Sequence, residues 1–323
     1  MHMEYKMDKI IELINNAQKC AIIPHVKADG DAIGSCLAMR SLLRKMGKET
    51  VIYVEEPVEK RLEFLNEDIA VIYDGEKIDC DTCIVLDCGD MGRVSKRELI
   101  FRTALNTINI DHHRTNTFFA DANHVEPDAC ATGEILFKLF KKMGQTLDAE
   151  ISEYLYAAIC SDSGCFAYSN VSPDTFRIAA ELIGYDINHA EIARQLFDCE
   201  DINSEKMKAE LTGRISSYYD GRLRVVTVSE NDTARYGIKP EDIQDLVNLP
   251  RRIRGTEIAA ALKQYDGKIR VSLRSNGDAD VAAVAMVFGG GGHTKAAGCT
   301  MNVDSLKEAE KMIVEACKGA FHE

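Results

Sequence analysis

Ala21-Ile22-Ile23-Pro24-His25-Val26-Lys27-Ala28-Asp29-Gly30-Asp31 is the stretch from which the fold is read. A short apolar run, fit for a buried strand, gives way to a histidine and two aspartates. Behind it Ile33, Cys36, Leu37, Leu43 and Met46 recur at helical spacing. The unit returns along the chain. Val51-Ile52-Tyr53-Val54, Thr82-Cys83-Ile84-Val85-Leu86 and Thr107-Ile108-Asn109-Ile110 read as further strands. Ile135, Leu136, Leu139, Phe140 and Met143 mark one later helix, and Ile151, Leu155 and Ile159 another. Strands alternating with helices predict an α/β fold with a doubly wound, mostly parallel sheet.

The second half reads differently. Asp220-Gly221 and Asp266-Gly267 each sit between β-rich runs, and Asp-Gly favours a tight hairpin turn. Helical patterns follow at 280–288 and 304–318. A smaller α/β domain with a mixed sheet is therefore expected after about residue 210. With 323 residues, two domains are the natural division at roughly 150 residues each. The expected division is a domain at 1–188, a linker helix region at 189–209 and a second domain at 210–323.

Composition narrows the function. Lys and Arg number 39 against 52 Asp and Glu, a net charge of −13, and 46% of residues are hydrophobic. Such a chain has enough apolar material for real cores. It lacks the broad basic face that coating long DNA requires, although a short nucleotide is not excluded. No apolar run approaches the ~20 residues of a membrane span. The first twenty residues are too charged for a secretory signal. Eleven scattered cysteines, an odd count, read as reduced thiols of a cytoplasmic protein, with Cys80 and Cys83 as structural thiols rather than a zinc site.

Acidic and imidazole groups stand where apolar runs end: His25, Asp29 and Asp31 after the first strand, Asp87 and Asp90 after the third, Asp111-His112-His113 after the fourth. In a parallel sheet these ends share one edge, the edge where ligands bind. Asp162, just beyond the helix expected to end near Cys160, is within reach of it. Each residue alone also has an ordinary reading: Asp31 as a helix cap, His25 as a core histidine, Asp87 as a strand-end acid. Three consecutive strand ends with the same chemistry argue for a joint role. Packed carboxylates repel unless cations neutralise them, and oxygen with imidazole suits Mn²⁺, or less firmly Mg²⁺, Co²⁺ or Zn²⁺. Five or six ligands suit two metals about 3.5–4 Å apart, which share a carboxylate, hold a bridging hydroxide and clamp a phosphoryl displacement.

Gly289-Gly290-Gly291-Gly292-His293 is the second strong feature. Consecutive glycines expose backbone N–H groups and admit a ligand closely. A short helix is expected to begin near Thr294, adding its positive end for an anion. Arg274, leaving the strand Val271-Ser272-Leu273-Arg274-Ser275, offers a guanidinium for a phosphate, or is a solvated strand-end charge.

Together these residues resemble the DHH phosphoesterase family. The namesake triplet is Asp111-His112-His113, and the first motif appears as His25, Asp29, Asp31, Gly34 and Ser35, with Ala28 where the family usually has Pro. Leu273-Arg274-Ser275 and Gly289 to His293 resemble the family's DHHA1 domain. Length and layout are similar to the nanoRNase group, which cleaves short oligoribonucleotides and dephosphorylates 3′-phosphoadenosine-5′-phosphate (pAp). The resemblance implies two Mn²⁺ ions, one held by His25, Asp29 and Asp87, the other by Asp31, Asp87, His112 and Asp162, with Asp87 bridging. It implies that His113, with Asp111 and Asp87, forms the catalytic set. Arg274, Ser275, Gly289, Gly290, Gly291, Gly292 and His293 would bind substrate: short RNA, of roughly two to five nucleotides, or a nucleotide bisphosphate. Other readings stay open: a cyclic di-AMP or pApA phosphodiesterase, a RecJ-like exonuclease, a manganese pyrophosphatase, or a non-catalytic nucleotide sensor. Oligomeric state, a homodimer included, is open too.

Overall fold

The computed structural model describes residues 2–65, 70–239, 243 and 246–321, with the side chains of residues 2–6 excepted. The chain divides into two compact units, Met1–Cys199 and Glu200–Glu323.

In the first unit, α1 (His2–Asn16) leads into β1 (Lys19–Ile23), α2 (Gly30–Lys45), β2 (Glu49–Val54), β3 (Val71–Ile72) and β4 (Thr82–Leu86). Then follow α3 (Glu98–Thr103), β5 (Asn106–Asp111), β6 (Ala122–Val125), α4 (Thr132–Lys142), α5 (Ala149–Asp162), α6 (Pro173–Ile183) and α7 (His189–Phe197). The strands form one sheet in the order β3-β2-β1-β4-β5-β6, every pair parallel. The chain winds outward from β1 to β3, then returns beside β1 with β4 and winds the other way. That reversal leaves a crevice beyond the carboxyl ends of β1 and β4.

The central strands read as unbroken apolar runs because both faces are covered. Ile22, Ile84 and Leu86 join one core with α2, α4 and α5, while Ala21, Ile23, Cys83 and Val85 join a second core on the other face. Arg97 is fully buried and donates to the carbonyls of Pro24, Tyr53 and Val94. It ties the exit of β1 to β2 and to the turns that follow β4.

The helices α2 and α5 run antiparallel in close contact because α2 carries glycine where they meet. A Cβ on Gly34 would lie 2.7 Å from the Tyr154 carbonyl oxygen and 3.0 Å from the Ala158 nitrogen. The substitution Gly34→Ala gains up to about 1 kcal/mol of helix propensity, but forces the backbones apart at a cost of roughly 1–3 kcal/mol. A net loss in urea-melt stability is expected; a variant as stable as the parent would refute this account of the packing.

In the second unit, α8 (Ile202–Gly213) precedes β7 (Ser216–Tyr218), β8 (Leu223–Val228), α9 (Glu230–Tyr236), α10 (Asn248–Arg251), β9 (Ile258–Tyr265) and β10 (Lys268–Ser275). After these come α11 (Val281–Met286), β11 (Gly291–His293), β12 (Ala296–Met301) and α12 (Leu306–Cys317). The sheet order is β11-β12-β10-β9-β8-β7, antiparallel except for β8 with β9. This is the mixed sheet expected. Asp266 and Gly267, both at positive φ (51° and 67°), make the two-residue turn between β9 and β10. The helix expected near Thr294 is absent: the glycine run instead enters β11, which pairs with β12. Pairing satisfies the backbone groups that a helix start would have left free for an anion.

Candidate metal centre and catalytic site

The loop behind β1 bends at Val26–Lys27, where Lys27 has φ of +54°. Asp29 caps α2, its Oδ1 accepting from the Ala32 amide at 3.1 Å, and Asp31 sits inside the first turn, fully buried. Asp87 follows β4 with φ of +54°, a strained backbone for a residue with a Cβ. Asp111 ends β5, His112 and His113 follow it, and Asp162 is the last residue of α5. All six residues expected as metal ligands are thus brought to one place, from three strand ends and two helices.

The arrangement divides around Asp87. Its Oδ2 lies 3.4 Å from His25 Nε2, which is 3.7 Å from Asp29 Oδ2. Its Oδ1 lies 3.4 Å from His112 Nε2, which is 3.4 Å from Asp162 Oδ2 and 3.9 Å from Asp31 Oδ2. The sets His25–Asp29–Asp87 and Asp31–His112–Asp162 each present ligand atoms within 4.8 Å of one another. One carboxylate therefore offers an oxygen to each set.

The imidazoles are oriented from behind. His25 Nδ1 is 2.7 Å from the Val26 carbonyl and His112 Nδ1 is 3.3 Å from that of Ala129. Donation through Nδ1 leaves the Nε2 lone pair facing the carboxylates, as a metal ligand requires. Arg93 Nη2 also approaches His25 Nδ1, at 2.9 Å. A guanidinium only donates, so it competes with the Val26 contact. The shorter Val26 bond fixes the tautomer with Nε2 free, and it is the one compatible with the carboxylates on that side.

Burial and charge show what the cluster lacks. Burial, then the charges of Asp87 and Asp162, push the Asp31 carboxyl well above its ordinary range. Burial, then Asp29 and Asp87, do the same to Asp162. Burial alone would lower His25, but hydrogen bonds to Asp29 and Asp87 outweigh it and raise it to about 10. A cluster that recruits protons in this way is short of positive charge, and divalent cations fit its oxygen and imidazole donors.

His113 differs from His112. Its Nδ1 is 2.7 Å from Asp111 Oδ1, and the other oxygen of Asp111 accepts from Asn116 Nδ2 at 2.6 Å. The bond to Asp111 raises the His113 pKa against the opposing effect of burial. With Nδ1 donating to Asp111, the ring donates through Nε2 only as the imidazolium, the form that the raised pKa favours, and it sits at the rim of the cluster, 27% exposed.

Several participants escape a reading of charged residues. Thr132 and Gly133, at the start of α4, donate their amides to Asp31 at 2.7 and 3.0 Å, and Thr132 Oγ1 donates to Asp87 Oδ1 at 3.0 Å. Ser35 donates to Asp31 at 3.1 Å. Asp90, expected near the site, caps the turn Met91–Arg93 instead.

In the second unit, register places Arg274 opposite Ala296, and Ala296 opposite His293. Ser272, Gly298 and Gly291 line up the same way. Arg274 and His293 therefore flank a floor of small residues on the outer face of the sheet. Ser275 is not brought there: it is buried, and its hydroxyl donates to the Gly277 carbonyl. Alternation along a strand could have said so, since neighbours point to opposite faces. The glycines divide as well. A Cβ on Gly290 would lie 2.2 Å from the Gly298 oxygen, Gly289 and Gly292 have φ of 72° and 142°, and Gly291 opens onto free space.

Residues 19–159 match the DHH family, N-terminal domain, and residues 222–319 match the DHHA1 domain. A relative from Thermus thermophilus, named bifunctional oligoribonuclease and PAP phosphatase NrnA, is 30% identical over 92% of this chain and 88% of its own. A Bacillus subtilis relative of the same name is 26% identical over 90% and 91%. The crystal structure of an exopolyphosphatase-related protein from Bacteroides fragilis shares the fold, with a TM-score of 0.92 at 23% identity over 98% of this chain and 96% of that one.

Proposed function

Because the chain belongs to the DHH family and carries a DHHA1 domain, we propose that it is a metal-dependent phosphoesterase acting on short oligoribonucleotides and on pAp. The observation that carries this reading is Asp87, whose two oxygens face two separate ligand sets. We assign His25, Asp29 and Asp87 to one divalent cation and Asp31, Asp87, His112 and Asp162 to another, with Mn²⁺ preferred and Mg²⁺ or Co²⁺ as substitutes. Cations held there would supply Lewis-acid charge to phosphoryl oxygens and a water of lowered pKa.

The chain's own groups do the rest. Asp31 is fixed by two amides and the Ser35 hydroxyl, so its oxygens are aimed before any cation arrives. Thr132 holds Asp87 by one oxygen. His113, steadied by Asp111, donates to a phosphoryl oxygen as negative charge develops there. In the second unit, Arg274 and His293 bind a nucleotide phosphate, and Gly291 lets the ligand approach the backbone.

The decisive experiment measures release of mononucleotide from a 5′-labelled dinucleotide, and of phosphate from pAp, with and without Mn²⁺. Turnover of at least one that requires Mn²⁺ is expected, and none of either would overturn the assignment. Cyclic di-AMP and pApA assayed alongside test the rival substrate class. Arg274→Ala is expected to raise KM about tenfold or more, with kcat far less affected. An unchanged KM would remove Arg274 from the binding set.

A further inference from the structure

Arg93 is a cation beside the metal centre that neither ligand set uses. It closes the short turn Met91–Arg93 beyond β4, and its main chain is held firmly. The Arg93 amide donates to Asp90 Oδ1 at 3.1 Å. The Arg93 carbonyl accepts from the Val26 amide at 2.9 Å and from Arg97 Nη2 at 3.4 Å. The turn is thereby tied to the loop that carries His25 and Asp29.

The guanidinium has no such anchor. Its one hydrogen-bond contact among the described residues is Nη2 to His25 Nδ1, at 2.9 Å. That nitrogen already donates to the Val26 carbonyl at 2.7 Å. Donor therefore faces donor, and no bond forms. The carboxylates of the site pair with imidazoles and not with Arg93. A half-buried guanidinium that meets no acceptor from the protein keeps its fork for an oxyanion.

The electrostatics say where that anion lies. Against burial, His25 and the Ala32 amide hold the Asp29 carboxyl down at about 2, and the Arg93 charge adds to them. The bond to Asp111 raises His113, and burial and the Arg93 charge work against it. Arg93 thus stands within electrostatic reach of the His25–Asp29–Asp87 set and of His113. A positive group at such a place weakens cation binding, so metal binding does not explain it. An anion lying on the cations does, because a guanidinium fork matches the oxygens of a phosphoryl group.

We propose that Arg93 is a substrate-binding residue, gripping a phosphoryl oxygen at the metal centre from the side of His25 and Asp29. The inference deepens the phosphoesterase reading and rests on it for the identity of the anion.

The test uses the whole chain, titrated with inorganic phosphate by calorimetry at constant ionic strength, with and without Mn²⁺. Saturable binding that requires Mn²⁺ is expected in the parent. Arg93→Met keeps an unbranched stem, removes the charge and the fork, and leaves the main-chain bonds of the turn in place. In that variant phosphate should bind at least about tenfold more weakly, and kcat/KM for pAp should fall by at least about as much. Arg93→Lys restores the charge without the fork and should recover part of the loss. Should Arg93→Met not fold, Arg93→Lys carries the test, since it should still bind phosphate more weakly than the parent. The melting shift induced by Mn²⁺ should be no smaller in either variant than in the parent, because no metal ligand is lost. Equal phosphate affinity in the variants would overturn the proposal, as would a parent that shows no Mn²⁺-dependent phosphate binding. A lost Mn²⁺ shift would overturn it too, since Arg93 would then act by orienting His25. The two readings fail separately. A parent that turns over neither the dinucleotide nor pAp, yet binds phosphate through Mn²⁺ and Arg93, fails only as a phosphoesterase. Turnover with phosphate affinity indifferent to Arg93 removes only this residue.

Discussion

Asp87→Asn is expected to reduce turnover of the dinucleotide and of pAp by at least about 10³-fold, some 4 kcal/mol of barrier. Asparagine is close to aspartate in size, and Asp87 is almost fully buried, so the side chain can stay where it is. What changes is charge and donor character. One of the two facing imidazoles, His25 or His112, would then meet an amide NH₂ in place of an oxygen. One ligand set loses its shared oxygen outright, and the other keeps only a neutral amide oxygen in place of a carboxylate. Folding should survive, because the side chain keeps its size and the repulsion from Asp29 that it relieves partly offsets the lost attraction to His25, which against burial holds the Asp87 carboxyl below its usual range. Metal-free stability is expected within about 1 kcal/mol of the parent. The second readout is linkage. A cation at 100 times its Kd stabilises the folded parent by about 2.7 kcal/mol per site, and most of that gain should vanish in the variant. Melting curves with and without Mn²⁺ read it directly. Turnover near that of the parent, with an intact metal-induced shift, would contradict the central role given to this carboxylate.

The reason Asp87 could be found from sequence is physical. A buried parallel strand announces itself as an uninterrupted apolar run, so Asp87 after Thr82–Leu86 and Asp111 after Thr107–Ile110 stand out as charges at its exit. The strand order was less legible. The edge strands Val71–Ile72 and Ala122–Val125 are short, and the second alternates small, polar and apolar residues without a β signal. Thr132 and Asn116 were invisible for another reason. They act through a hydroxyl, an amide and a backbone N–H group, and nothing in residue type separates them from ordinary loop and helix-start residues. The glycine run misled in one respect. Repeated glycine looks like an anion loop, but Gly290 is required by the close approach of Gly298 in the neighbouring strand. Only tertiary pairing distinguishes that from ligand binding, and Gly291, with open space beside it, is left as the position a ligand could use.

Replacing His113 by Ala is expected to lower kcat by about 10²–10³-fold with little change in KM, the cost of losing one donor to developing charge. Asp111→Asn should act through the same ring and cost less, about 10–100-fold, in the range of groups that orient a functional side chain. The argument turns on acceptors. Asp111 Oδ1 faces His113 Nδ1 at 2.7 Å and Oδ2 faces Asn116 Nδ2 at 2.6 Å, so both oxygens meet donors. An asparagine has one oxygen for two donors. If it serves Asn116, its NH₂ turns on His113 Nδ1 and no carboxylate remains to stabilise the imidazolium that donates through Nε2; if it serves His113, two amides collide. Asp111 touches neither metal-ligand set, so metal-induced stabilisation should persist in both variants, which separates them from Asp87→Asn. The two substitutions should also fail to add: in the His113→Ala background, Asp111→Asn has no ring left to orient. A double variant no slower than His113→Ala alone is the expected outcome. If Asp111→Asn costs as much with the ring gone as with it present, Asp111 works by some route other than His113.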